Sequence, residues 1–530
     1  MSLTKSFIIA LVAGLPIRLC ATAMVAEITS PSSSQSPYIV GSQPGVATIS
    51  ILTVGDAVNY KPHTAIPYAM VGIPDGLGAF DNDEESDNHD DQGDDHWGRG
   101  NRNEHGTFTL FMNHELVATS GVPRAHGFTG AFVSKWIIEK ESLTVLEGED
   151  LIKTAKRWDT ATQSYLPLAG GFTRFCSGDL PPLSAFYNRK TRLGYNGRIY
   201  LNGEEAGTEG RAFAHFLDGN SFELPALGKF SWENSVANPA TGDKTIVVGT
   251  DDNAIGGQVY IYAGDKSSSP DSLAAAGLKN GILSAIKVTG LVQETDATAF
   301  TTGAFSVVSL GNVTALTGAQ LEAATQAAGA TNFNRPEDSC WDPSNAKDLY
   351  FVTTASFPNP AVPGSGKSRL WRLRFVDPAQ PNLGGTATVL LDGTTGPKMM
   401  DNITVSKRGS ILIQEDVGNQ PHIGKIWRYT IATGALELVA QHDPARFTPG
   451  SPGFLTQDEE SSGIIPMDDI LGEGWFLLDV QAHYAIPGEL VARDCVAGSR
   501  SDPPSGARLR ILRSLARRGA GTGRSRTTQT

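Results

Sequence analysis

Short apolar runs that end in polar or acidic residues set the pattern of this chain. Phe108 to Met112 run into Asn113-His114-Glu115, Arg198 to Leu201 lead towards Glu204-Glu205, and Ser410 to Ile413 run into Gln414-Glu415-Asp416. Each run has the length and composition of a buried strand. From Gly106 onward a two-part unit recurs: an apolar run with a polar end, a loop, then Gly or Ser followed by apolar and aromatic positions. Lys244 to Gly249 with Thr250-Asp251-Asp252 precede Gly257-Gln258-Val259-Tyr260-Ile261-Tyr262. Leu349 to Val352 precede Ser368-Arg369-Leu370-Trp371-Arg372-Leu373, and Ile411 to Ile413 precede Gly424-Lys425-Ile426-Trp427-Arg428-Tyr429. The spacing is irregular, but the unit predicts repeated antiparallel sheets. Such sheets protect their edges when arranged radially as the blades of a propeller. Inner strands then deliver their end residues to one central pocket, which explains acidic motifs so far apart in sequence. A sandwich or separate barrels would not gather them. Helical material is minor: Ser272 to Leu278 and Gly318 to Ala328 are predicted as surface excursions.

Composition sharpens this all-β reading. Of 530 residues, 58 are glycine and 30 proline, so turns are many, and the 40% hydrophobic content supplies a core. The net charge of −13 conceals an uneven distribution: from Arg493 onward nine Arg and two Asp give +7, so the remainder carries −20 (−13 − 7). An acidic body disfavours nucleic acid and favours divalent cations. Residues 1–26 read as a secretory signal peptide, with Lys5, an apolar stretch from Phe7 to Pro16, and small residues at Ala21, Ala23 and Ala26. That places the protein outside the cytoplasm, secreted or periplasmic, without stable membrane insertion. Residues 27–45 are Ser- and Pro-rich and predict a flexible lead. The body spans 46–490 and includes an acidic insertion at 81–102. In it Asp81, Asp83 and Glu85 fit a calcium loop, but Ser86 and Gln92 break the pattern. Residues 491–530 are Arg-, Ser- and Gly-rich and are expected to be unstructured. No GxGxxG, Walker loop or nucleophile elbow is present, which argues against nucleotide cofactors and α/β-hydrolase chemistry.

The cysteines beyond the leader, Cys176, Cys340 and Cys495, are odd in number. Cys340 beside Trp341 reads as a buried apolar residue, whereas Cys176 is a candidate for chemistry. Asn113-His114-Glu115, Cys176-Ser177-Gly178, Glu204-Glu205, Trp232-Glu233, Arg335-Pro336-Glu337-Asp338, Asp401-Asn402 and Val480-Gln481-Ala482-His483 fall in one order along the chain. In that order they resemble the PhoX family of alkaline phosphatases, over roughly Ile73 to Glu489.

The resemblance implies a six-bladed β-propeller with iron(III) and calcium ions in its central channel, acting on phosphate monoesters. It implies metal ligation by Cys176, Glu204, Glu205, Glu233 and Glu337, with Glu460 as a late carboxylate ligand. It also implies catalytic roles for Arg335, as phosphate contact, and Glu337. Asn113, His114, Glu115, Asp338, Asp401, Asn402, Glu415, Asp416 and His483 are expected in or around the same site. The chemistry is coherent: calcium takes many oxygen ligands, a thiolate suits iron, and an arginine fork matches phosphate. The expected partner is a small phosphate ester and the expected state a monomer. The chain departs from the family after Cys176, where Ser177-Gly178-Asp179-Leu180-Pro181 replaces a glycine- and tryptophan-rich stretch. The last motif is stretched to Val480-Gln481-Ala482-His483-Tyr484-Ala485-Ile486-Pro487-Gly488. Two other readings therefore stand beside the phosphatase: a non-catalytic calcium-binding propeller, and a metal hydrolase of the same fold acting on phosphodiesters, phytate or lactones.

Overall fold

A computed structural model describes residues 28–60, 64–83, 106–253, 256–484 and 508–514. Among the described residues six blades, each with a four-stranded antiparallel core and most with added outer strands, follow one another around a central channel. Their innermost strands are Pro74–Asp81, Phe175–Asp179, Trp232–Ala237, Pro336–Trp341, Met400–Ser406 and Glu459–Pro466, which begin blades 1 to 6. Each inner strand packs against the next, and Glu459–Pro466 packs back on Pro74–Asp81 to close the ring. The outer strands of blades 3 and 4 join through Thr302–Gly311, so these two blades share one nine-stranded sheet.

Closure depends on both ends of the chain. Blade 6 consists of Glu459–Pro466, Trp475–Ala482, Arg508–Ser514 and Val46–Thr53. The expectation of a wholly unstructured tail therefore gives way at Arg508–Ser514, whose sequence alternates Arg with apolar residues as a half-buried strand does. The lead at 27–45 is likewise tied down. Ile39–Gly41 pairs with the outer strand of blade 5, Tyr38 packs edge-on against Phe447, and the Tyr38 and Tyr484 hydroxyls lie 2.6 Å apart. Tyr38 and Ile39 are the apolar residues in a polar stretch that make this possible. The expected signal peptide, residues 1–26, lies outside the described residues, as does most of the acidic insertion.

The core lies between blades, one apolar cluster per interface. Phe111, Val133, Tyr200 and Phe213 fill the interface of blades 1 and 2, and Leu201, Trp232 and Tyr260 fill that of blades 2 and 3. Val248, Leu349, Phe351 and Trp371 join blades 3 and 4, and Tyr350, Ile403 and Ile411 join blades 4 and 5. Leu412, Ile426 and Leu478 join blades 5 and 6, and Leu52, Leu110 and Leu477 complete the circle. This leaves the channel to polar side chains. Helices are the minor features expected, Ser272–Ala275 and the capped Gly318–Ala328 among them.

Where inner strands meet, only glycine fits. A Cβ on Gly76 would lie 2.2 Å from the Gly178 amide nitrogen and 2.7 Å from Asn113 Nδ2. Gly76→Ala is expected to wedge blades 1 and 2 apart and to cost about 1–3 kcal/mol, read as a lowered midpoint in chemical denaturation; an unchanged midpoint would show that the contact yields freely.

Candidate metal centre

The site is built by a backbone device repeated in every blade. The residue just after the second strand donates its N–H to the carbonyl of the residue just before the inner strand. The pairs are Glu115 to Ile73 at 2.8 Å, Glu205 to Arg174 at 2.9 Å and Asp252 to Ser231 at 2.9 Å in blades 1 to 3. Thr354 to Arg335 at 3.0 Å, Asp416 to Met399 at 3.0 Å and His483 to Asp458 at 2.9 Å follow in blades 4 to 6. Directly beyond this clamp the register of the first two strands shifts in blades 1 to 5, as at a β-bulge, whereas in blade 6 the shift lies farther along, past Ser462. A bulge re-aims side chains at the end of a ladder.

The second residue of each inner strand lies at this end of the channel. In order these residues are Asp75, Cys176, Glu233, Glu337, Asp401 and Glu460. The residues after the second strands form a companion set that includes Glu115, Glu205, Asp252 and Asp416. Three groups have ligand atoms within 4.8 Å of one another: Asp75, Glu115 and Cys176; Cys176, Glu205 and Glu233; Glu233, Glu337 and Asp401. Because Cys176 and Glu233 are each shared, the groups form one continuous run.

Burial disfavours this arrangement as a set of bare anions. Desolvation, reinforced by neighbouring acids, pushes Asp75, Glu233, Glu337, Asp401 and Glu460 well above the usual carboxylate range. Glu205 and the Cys176 thiol are raised for the same leading reason. Divalent or trivalent cations reverse that penalty. The donor set fits them: two groups combine a thiol with carboxylates, suited to a transition metal, and the third is all carboxylate, suited to a hard cation.

Two arginines stand over the carboxylates. Arg335 grips Asp252 through Nε at 2.7 Å and Nη2 at 2.8 Å, with Glu337 3.1 Å from Nη2. Arg174 binds Glu115 through Nε at 2.8 Å and places Nη2 2.5 Å from Glu205. Both precede an inner strand and both hold a left-handed backbone, φ 50° and 45°. That conformation is disfavoured for a side chain of this size.

Several expected residues instead support the centre. Glu204 belongs to none of the three groups, because Arg211 binds both its oxygens at 2.6 and 2.7 Å. As the last residue of its strand it points opposite to Glu205. Glu415 is consumed by Lys398 N, Trp427 Nε1, Lys425 N and His422 Nε2 at 2.8–3.1 Å. His114 Nε2 lies 2.8 Å from Ser134 Oγ, its ring stacks on Phe132, and burial pushes its pKa down to about 3. Asn113 donates to the Cys176 carbonyl at 2.6 Å and accepts from Tyr200 and Asn202, so it fixes the thiol's strand. Asn402 donates to Ser177 Oγ, which donates to Glu233, linking three blades across the channel. Asp338 accepts from Ile403 N at 3.0 Å and from Asn234, and tethers blades 3 to 5. Asp416 pairs with Glu460 through a backbone β-bridge, and His483 supplies the backbone clamp of blade 6 and acts electrostatically on Asp416.

Three residues escaped the sequence reading. Asp75, Arg174 and Asp252 all had a signal: Ile73-Pro74-Asp75 repeats the Pro-acid step of Pro336-Glu337, and Arg174-Phe175-Cys176 repeats the spacing of Arg335 to Glu337. Asp252 follows its strand as Glu205 and Asp416 follow theirs.

Residues 219–462 match the family model described as alkaline phosphatase PhoX. The structure of Pseudomonas fluorescens PhoX in complex with vanadate, a transition state analogue, is similar at 13% identity over 92% of this chain and 98% of that one, with a TM-score of 0.61. That likeness shows the fold. Penicillium chrysogenum α-L-arabinanase complexed with arabinobiose is less similar, at 10% identity over 76% of this chain and 90% of that one, TM-score 0.35. A search of the curated proteins finds no match.

Two outcomes follow for the centre. Asp75→Asn is expected to lower metal stoichiometry in elemental analysis, whereas Glu204→Gln leaves it unchanged and instead lowers stability by about 1–3 kcal/mol through loss of the Arg211 pair. The reverse pattern would exchange their roles. Burial pushes Asp179 up to about 7, although it accepts a hydrogen bond from Ala237 N. A raised folded pKa gives stability that is complete below the unfolded value of about 4 and is lost as pH rises through the folded one. The metal-free protein should therefore lose stability between about pH 4 and pH 7, and Asp179→Asn should flatten that slope in denaturation measured across this range.

Proposed function

Because residues 219–462 match the PhoX alkaline phosphatase family model, we propose that this chain is an exported, metal-dependent phosphomonoesterase releasing inorganic phosphate from small organic phosphates. The observation that carries this reading is the continuous run of three donor groups sharing Cys176 and Glu233, with Arg335 beside it. Asp75, Glu115, Cys176, Glu205 and Glu233 would hold iron(III) at the thiol end, and Glu233, Glu337 and Asp401 calcium at the carboxylate end. Bound there, the ions polarise phosphoryl oxygens and supply the positive charge that an anionic substrate requires.

The chain's own groups do the rest. Arg335 has a side chain 37% exposed, so its guanidinium reaches the channel mouth while Asp252 and Glu337 fix its direction. It orients the phosphate by charge-assisted hydrogen bonds that strengthen as charge builds in the transition state. Asn113 and Asn402 keep the thiol and Glu233 at fixed depth, so the donors need little reorganisation.

Arg335→Ala should leave iron and calcium content intact and lower kcat/KM for p-nitrophenyl phosphate by about 100-fold or more. Full turnover in this variant would remove Arg335 from the reaction. Calcium without iron and no phosphomonoester hydrolysis by the unmodified protein would instead support a non-catalytic propeller.

A further inference from the structure

We propose that Arg174 is a second phosphate-contacting arginine, and that with Arg335 it selects monoester dianions over diesters. The inference rests on the phosphomonoesterase reading above. Arg174 and Arg335 occupy the same position in blades 2 and 4: each directly precedes an inner strand, and each offers its carbonyl to the clamp N–H of its blade. Each carries a positive φ, as does Met399 at the same position in blade 5, so this backbone conformation accompanies the clamp and the guanidinium is what sets blades 2 and 4 apart. Each directs Nε and Nη2 to acids at the channel end, Glu115 and Glu205 for Arg174, Asp252 and Glu337 for Arg335. Two residues downstream of each lies a metal donor, Cys176 or Glu337.

The two guanidiniums belong to blades 2 and 4, on either side of blade 3. Glu205, the partner of Arg174, also feels the charge of Arg335 and of its partner Asp252. Only blade 3 lies between them, and its Glu233 is the donor shared by the second and third groups. Arg174 is also available, with 43% of its side chain exposed against 37% for Arg335.

The chemical consequence follows from counting oxygens. A phosphate monoester dianion has three terminal oxygens and two charges; a diester has two and one. Metal ions on one side and two planar guanidinium forks on the other match the former. With a diester, one fork faces an esterified oxygen that accepts poorly.

Arg174→Gln and Arg174→Lys in the metal-loaded full chain test this. Arg174→Gln should lower kcat/KM for p-nitrophenyl phosphate by about 30-fold and weaken inorganic phosphate binding, measured by calorimetry, by a similar factor, as expected for one lost charge-assisted contact. Its kcat/KM for bis(p-nitrophenyl) phosphate should change by less than about threefold, narrowing the monoester-to-diester ratio. Iron and calcium content should stay as in the unmodified protein, and Arg174→Lys should recover part of the loss. Unchanged phosphate binding and hydrolysis in Arg174→Gln would overturn the proposal while leaving the phosphomonoesterase intact. Loss of metal together with equal loss on both esters would make Arg174 structural and overturn it as well. If the unmodified protein neither binds inorganic phosphate nor hydrolyses the monoester, the phosphomonoesterase reading itself fails and takes this one with it.

Discussion

The clamp between the end of each second strand and the residue before each inner strand is the constraint on which the site depends. It is one hydrogen bond of 2.8–3.0 Å, made six times around the channel. In blades 1 to 5 each clamp is followed by a register shift at the second residue of the inner strand, which lies at the channel end. Asp75, Cys176, Glu233, Glu337, Asp401 and Glu460 come together because six blades share this geometry, although the sequence between them varies greatly in length. Only two apolar layers flank each blade, so the ring is rigid where the donors sit.

That rigidity has an electrostatic cost. Burying so many acids without positive charge forces most of them towards the protonated form, as the raised pKa values at the channel show. Two arginines offset part of it, and both remain partly exposed. The remainder calls for cations. The same placement that makes the empty pocket unfavourable for anions makes the loaded one suited to phosphate. Fold stability and cation binding are therefore linked through the same carboxylates.

Much of this was legible in the chain, and the misses have a common physical origin. Apolar runs ending in acids located the strand ends, and the repetition of the unit located the blades. What the pattern could not resolve was the face. Glu204 and Glu205, like Glu415 and Asp416, are neighbours whose side chains diverge by strand alternation, and only the position of the last ladder bond decides which one enters the channel. Asp75 was hidden because Pro74-Asp75-Gly76 has the composition of a turn. Arg508–Ser514 was hidden by the Arg-rich composition around it, which outweighed a short period-two pattern. Tyr38 and Ile39 were overlooked in a Ser-rich stretch for the same reason.

The central claim is that the six-blade clamp builds adjacent cation sites on Cys176 and Glu233. Anomalous diffraction from crystals of protein purified without added metals or chelators, with data collected on both sides of the iron edge, tests it most directly. The account predicts an iron peak within bonding distance of Cys176 Sγ and a separate calcium peak among Glu233, Glu337 and Asp401. A channel without metal, or cations bound away from these side chains, would contradict it.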